Sequence, residues 1–147
     1  MKKKLICCLM IGLCVYACSQ KKSFNIEGVW KMVQSQTINE NKSVIDFPGK
    51  KIVDETKIWS GNNFMFIARA KTDTIIEDVY GVGTYKLQGN TYEENIRIMN
   101  YKPWEGKTIK MTLEIKNDTL IQTFPVDDKG QMDKNWAWIE KYIQIKK

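Results

Sequence analysis

The sequence predicts an all-β fold, a single eight-stranded up-and-down antiparallel barrel. Three observations carry this. Past its N-terminal segment, the 147-residue chain divides into short runs rich in β-branched and aromatic residues, at the roughly 8–12-residue spacing of sandwiches and barrels. Turn signals such as SGNN, KTDT, QGN and ND separate those runs. No stretch carries a helical stripe of any length.

IEGVWKMVQSQ (26–36) is the first strand, and KKIVDETKIW (50–59) the second, which SGNN turns into FMFIARA (64–70). KTDT leads to IIEDVYGVGTYKL (75–87), and QGN to TYEENIRIM (91–99). KTIKMTLEIK (107–116) alternates, with Ile109, Met111, Leu113 and Ile115 on one face and Lys110, Thr112, Glu114 and Lys116 on the other, so one side of that strand is wet. ND turns into TLIQTF (119–124), and WAWIEKYIQIK (136–146) ends the series. DKNWAWIEKY also reads as a short helix, because apolar residues fall on both of its strand faces, although Trp, Tyr and Ile favour strand. Closure into a barrel removes exposed edges. Gly81 and Gly83 interrupt the longest strand on one face, where a bend or bulge helps the sheet curl.

Two connections are long. TINENKSVIDFPGKK (37–51) is polar at its ends with Val44, Ile45 and Phe47 inside, and is expected to be a loop packed over the barrel mouth. NYKPWEGK (100–107), with Tyr101 and Trp104, is expected to do likewise.

The N-terminus has three lysines and then an uncharged run over residues 5–17, the pattern of a secretory signal peptide. Its 13 residues reach about 20 Å as a helix, short of a hydrocarbon core of about 30 Å. Val15, Ala17 and Cys18 resemble the lipobox of bacterial lipoproteins, although Tyr16 is bulkier than that motif usually carries. Cys14, after Leu13, is the poorer fit. The resemblance implies cleavage before Cys18 and acylation of its thiol, and two acyl chains anchor stably where one does not. An ordinary cleaved signal is the competing reading. The chain then divides into a lipoprotein signal peptide (1–17), a tether (18–25) and the barrel domain (26–147). Cys7, Cys8, Cys14 and Cys18 are the chain's four cysteines, so the mature domain has no disulfide and must rest on packing.

About 130 residues remain, one domain that buries roughly two-thirds of its unfolded surface. The formal charge of +6 halves once Lys2, Lys3 and Lys4 leave, and the remaining charges are interspersed, with Arg69 and Arg97 the only arginines. Nucleic-acid sites concentrate basic residues and favour arginine, so no nucleic-acid partner is expected. There is no histidine, which removes the commonest general base and metal ligand.

Gly28-Val29-Trp30 resembles the GxW signature of lipocalin-type barrels, and NNFMFI followed by GTYKLQGNTYEENI resembles the later strands of small lipocalin-like lipoprotein domains of Bacteroidetes-type bacteria. The resemblance runs from about residue 28 to 142 and is densest over 63–96. It implies an eight-stranded lipocalin-like barrel. It also implies an arginine on the last strand against the Trp, where this chain offers only Lys141, Lys146 and Lys147, so the closed end is expected to be built differently. Fold alone does not confer function.

Trp30 is expected to plug the barrel base, with Gly28 allowing close backbone approach. Met32, Phe64, Phe66, Met111 and Leu113 lie on apolar strand faces, as either a filled core or the wall of a small ligand site. Tyr92 and Glu94 share a face with Ile96 and Ile98. A carboxylate there needs a partner or water, so Glu94 orients a ligand, pairs with Arg69, or sits at the wet rim. Glu93 and Glu94 point to opposite strand faces and cannot flank one bond. VDDKGQMD around Asp127 and Asp128 lacks the ladder of a calcium loop, and GVGTY precedes no helix that would present phosphate sites. No metal, cofactor or enzymatic activity is expected.

The expected function is non-covalent binding of a small, largely apolar ligand by a barrel tethered to the membrane through lipidated Cys18. The alternative is a non-catalytic scaffold or accessory subunit of an envelope complex, meeting a protein or glycan partner through exposed Trp59, Trp104 or Trp136. Ser19 suits outer-membrane sorting, and SQKK lacks the acidic residues that accompany display at the surface. The expected location is therefore the outer membrane, facing the periplasm, with the cell surface as the alternative.

Overall fold

The computed structural model describes residues 25–40, 42–49, 51–133 and 135–146. The expected signal segment, Cys18 and all but the last residue of the expected tether lie outside them. The described chain forms nine antiparallel strands: β1 (Gly28–Asn39), β2 (Lys42–Phe47), β3 (Ile52–Ser60), β4 (Asn63–Thr72), β5 (Ile75–Gln88), β6 (Thr91–Met99), β7 (Thr108–Lys116), β8 (Thr119–Phe124) and β9 (Trp136–Gln144). From β3 to β9 each strand pairs with the next in sequence, and β1 pairs with both β3 and β9. Eight strands thus close a barrel, and β2 lies outside the ring. Residues 136–142 of DKNWAWIEKY resolve as strand, because β9 has a partner on either side. The sole helix among the described residues is a 3-10 turn, Lys102–Trp104.

β2 corrects the expected 37–51 loop. β1 continues to Asn39, the chain turns through Glu40 at φ 46°, and β2 runs back along Ser35–Asn39. Val44 and Ile45 are 44% and 47% exposed and do not cover the mouth, whereas Phe47 packs on the core. The polar ends of this stretch obscured a short edge strand, a position that tolerates polar residues because only one side of it must pair.

Inward-facing residues alternate until a bulge resets the alternation. In β1 the register against β9 slips between Met32 and Gln34, so Trp30 and Met32 point inward below it and Ser35 and Thr37 above it. In β6 the register against β5 slips between the partners of Ile96 and Ile98. Tyr92, Glu94, Ile96 and Met99 are therefore buried while Ile98 is 57% exposed, which corrects its expected place on the inner face. An extra residue in one strand moves everything beyond it to the other face.

Gly81 and Gly83 sit opposite Phe66 and Phe64. A Cβ on Gly81 would lie 2.5 Å from the Phe66 ring, and one on Gly83 would lie 2.0 Å from the Asn95 carbonyl oxygen and 2.9 Å from Phe64. The two glycines let both rings lie over β5, and the bulge falls beside them, at Val82/Gly83.

At the filled end, Trp30 is buried. Its Nε1 donates to the Ile26 carbonyl at 2.9 Å, and its ring meets Trp59 edge-on at 6.3 Å. Among the described residues no cation stacks on it. The last strand instead brings Gln144 beside Gly28, where φ is 121° and a Cβ would lie 2.9 Å from Gln144 Nε2. That nitrogen donates to the Glu27 carbonyl.

Candidate functional site

The barrel interior is layered. Nearest the filled end, Trp59, Tyr92 and Tyr142 cluster, with Trp59 meeting each tyrosine edge-on at 6.3 Å. Met32, Phe64, Leu113 and Leu120 fill the space around them. This packing holds the next layer, which is polar: Glu55 and Lys57 on β3, Glu94 on β6, Gln122 on β8 and Glu140 on β9, all buried. Each occupies an inward position of its strand.

One hydrogen-bonded chain joins this layer to the aromatic cluster. Trp59 Nε1 donates to Tyr92 Oη at 2.6 Å, and Tyr92 donates to Glu94 Oε1 at 2.7 Å. Lys57 Nζ lies 2.5 Å from the same Glu94 oxygen and donates to Gln122 Oε1 at 3.1 Å. Gln122 Nε2 donates to Glu140 Oε2 at 2.8 Å. The Tyr142 hydroxyl lies 2.7 Å from Glu55 Oε1 and 2.9 Å from Glu140 Oε2. The rings of Trp59 and Phe64 stand 5.3 and 5.5 Å from Lys57 Nζ, a cation–π setting that offsets part of its lost hydration.

Three carboxyls and one ammonium share this layer, and the balance shows in their titration. Glu140 is pushed up to about 8, first by burial and then by the charge of Glu55, with Lys57 opposing. Glu55 is also raised, by burial, against the Tyr142 hydrogen bond and Lys57. Burial and the adjacent carboxylates raise both Tyr92 and Tyr142 well above the ordinary phenol value, so both remain hydrogen-bond donors. Desolvation disfavours the charged form of each group.

Above the polar layer lies a cavity of about 240 Å³. Its walls include Phe66, Ala68, Ala70, Val79, Ile96, Met99 and Met111, and its floor is Glu55, Lys57, Glu94, Gln122 and Glu140. Tyr101, Trp104, Phe124 and Trp138 line it as well, and Tyr101 is 53% exposed. Trp104 packs on Phe124 at 6.2 Å and on Trp138 at 5.7 Å. The 100–107 connection therefore does reach the mouth. The small Ala68 and Ala70 leave the space that larger inward residues would fill.

Of the residues expected at a ligand site, Phe66, Glu94 and Met111 line the cavity. Met32, Phe64, Tyr92 and Leu113 are sealed in the packed layers below it. Glu94 is not at a wet rim: it is 3% exposed and pairs with Lys57, while Arg69 pairs with Asp78 on the surface. Trp59, expected as a partner-facing residue, is 1% exposed. Glu55, Lys57, Gln122 and Glu140 were not singled out from the sequence, although a signal for them exists. Glu55 and Lys57 are an adjacent charged pair on one face between Val53 and Trp59, and Gln122 and Glu140 are polar residues between apolar ones two positions away, as in Leu120–Gln122–Phe124 and Trp138–Glu140–Tyr142. The same placement made Glu94 conspicuous.

Asp127 Oδ1 accepts from the backbone N–H groups of Lys129 and Gln131, and Asp128 pairs with Lys110. The acidic pair organises a turn and ties it to β7. A scan against protein-family models returns no match for this chain, and a search of curated proteins finds none with significant similarity.

Proposed function

We propose that this barrel binds one small, largely apolar molecule non-covalently in the cavity above its polar layer. The observation that carries the reading is the cavity itself: about 240 Å³, walled by apolar and aromatic side chains, in a barrel whose other half is densely filled. Small-molecule pockets are mostly apolar with a few convergent polar groups and run from about 300 Å³ upward, so the guest is small. The floor's polar groups are engaged with one another, an arrangement that suits recognition rather than turnover.

The wider reading is a lipocalin-like lipoprotein carried on lipidated Cys18 at the outer membrane, facing the periplasm. The closed eight-stranded ring and the buried Trp30 of the GVW motif support the resemblance. The competing scaffold reading relied on Trp59, Trp104 and Trp136 as an external surface. Trp59 is core and Trp104 is cavity wall, which leaves Trp136, 38% exposed, and so favours the ligand reading.

Native mass spectrometry of gently purified protein tests the binding. A co-purifying adduct, or uptake from a mixture of short amphiphiles, is the expected result, and a clean apo mass after such exposure would overturn it. Membrane fractionation of Cys18→Ala, which should release the domain to the soluble fraction, tests the anchor. Protease shaving of intact cells, which should leave the domain intact, tests the side.

A further inference from the structure

Three carboxyls and one lysine line the floor of the cavity, and this selects among guests. Among the described residues, Lys57 is the only cation lining the cavity, and it is held against Glu94 and Gln122. Glu55 and Glu140 also line it, at 7% and 8% exposure. Among the described residues neither has a cation within salt-bridge distance, and only hydroxyl and amide groups meet them. The bonds made to the three carboxyls use Glu55 Oε1, Glu94 Oε1 and Glu140 Oε2, which leaves Glu55 Oε2, Glu94 Oε2 and Glu140 Oε1 for an occupant.

We propose that the guest is a small amphiphile carrying a protonated amine, which enters head first and sets its ammonium on Glu55 and Glu140 with its apolar part against Phe66, Met111 and Trp104. This rests on the ligand-binding reading above and adds the head group. An ammonium donates several hydrogen bonds and accepts none, which suits a floor with three free carboxyl oxygens. The ammonium's charge lets Glu55 and Glu140, which burial holds toward their protonated forms, ionise against a partner. A carboxylate or phosphate head would add a negative charge beside Glu94, whose lysine is already engaged. A neutral head would leave both carboxyls without a cation. A bare metal ion is a poorer match, because no group of three or more His, Cys, Asp or Glu among the described residues converges closely enough to hold one. Aromatic rings at Phe66, Trp104 and Trp138 line the entry path and favour a cation over an anion.

Titration calorimetry of the intact barrel domain with n-octylammonium, n-octanol and n-octanoate tests this. The ammonium is expected to bind about tenfold tighter than the alcohol or better, and the carboxylate more weakly than the alcohol. Glu140→Gln and Glu55→Gln should each shrink the ammonium-to-alcohol ratio, and the double variant should bring it to about one. Circular dichroism verifies the fold of each variant, and Glu140→Gln alone suffices if the double variant fails to fold. Equal binding of ammonium and alcohol, or tighter binding of octanoate, would overturn the amine inference and leave the cavity reading intact. No binding of any of the three would overturn both.

Discussion

Lys57 Nζ sits 2.5 Å from Glu94 Oε1 with both side chains only 4% exposed, at the level where the filled half of the barrel meets its hollow half. Removing one member leaves the other charge buried and alone, which typically costs about 3–5 kcal/mol. Lys57→Met is expected to be the worse of the two single variants, because it strips the one cation found among the described residues of this layer from three carboxyls. Pairing Lys57→Met with Glu94→Leu should cost less than the two single changes added together. Urea denaturation of the four species measures the coupling, and additive costs would contradict the pairing.

The carboxyls of the floor give stability a pH dependence of definite sign. Glu140, at about 8 in the folded state, lies above its ordinary 4.5, so the folded chain holds that proton more tightly than the unfolded chain. Its contribution is fully present below pH 4.5 and is lost as pH rises toward and through 8. Glu55 acts in the same direction. The facing groups are Lys57, Glu94, Tyr92 and Tyr142, of which Lys57 opposes the shift and Glu94 adds to it. The melting temperature should therefore fall between pH 5 and pH 9, and Glu140→Gln should flatten that fall. A melting temperature that rises over the same range would contradict this.

The glycine pair in β5 separates two kinds of strain. A methyl group on Gly83 would meet backbone, the Asn95 carbonyl, at 2.0 Å, while one on Gly81 would meet the Phe66 ring first, at 2.5 Å. Overpacking that a side chain can relieve costs about 1–3 kcal/mol, and a clash with sheet backbone costs more. Gly83→Ala should thus be the more destabilising change. Trimming the ring with Phe66→Leu should recover part of the loss in Gly81→Ala and none of that in Gly83→Ala. Denaturation midpoints of these variants decide it.

Barrel closure and strand order were legible because period-two alternation and turn residues survive in sequence without any tertiary help. Ile98 and Val44 show where that reading stops. Ile98 continues the parity of Ile96 on paper, and only the slip against β5 turns it outward. Val44 looks like a residue that needs cover, and only the pairing of β2 with β1 shows that it lies on an edge. The polar layer was half legible. Glu94 drew notice as a lone charge on an apolar face, a placement that Glu140 and the neutral Gln122 share in polarity, whereas Glu55 and Lys57 follow each other on one face of β3. Their meeting depends on the stagger of four strands, which a linear sequence does not contain.

The hollow above the polar layer owes its existence to small residues on β4. Ala68 and Ala70 line it, and they follow Phe64, which fills the barrel lower down, and Phe66, whose ring forms part of the cavity wall. Replacing both alanines with leucine would extend the packed half upward while leaving Lys57, Glu55, Glu94 and Glu140 unsubstituted. Filling a cavity of this kind commonly adds about 0.5–2 kcal/mol, so the double variant should melt a few degrees higher than the parent. The same change should abolish uptake of short amphiphiles in native mass spectra, because the guest and the new side chains compete for one space. A more stable variant that still takes up ligand would place the binding elsewhere on the barrel. Differential scanning calorimetry and native mass spectrometry on one preparation provide both readings.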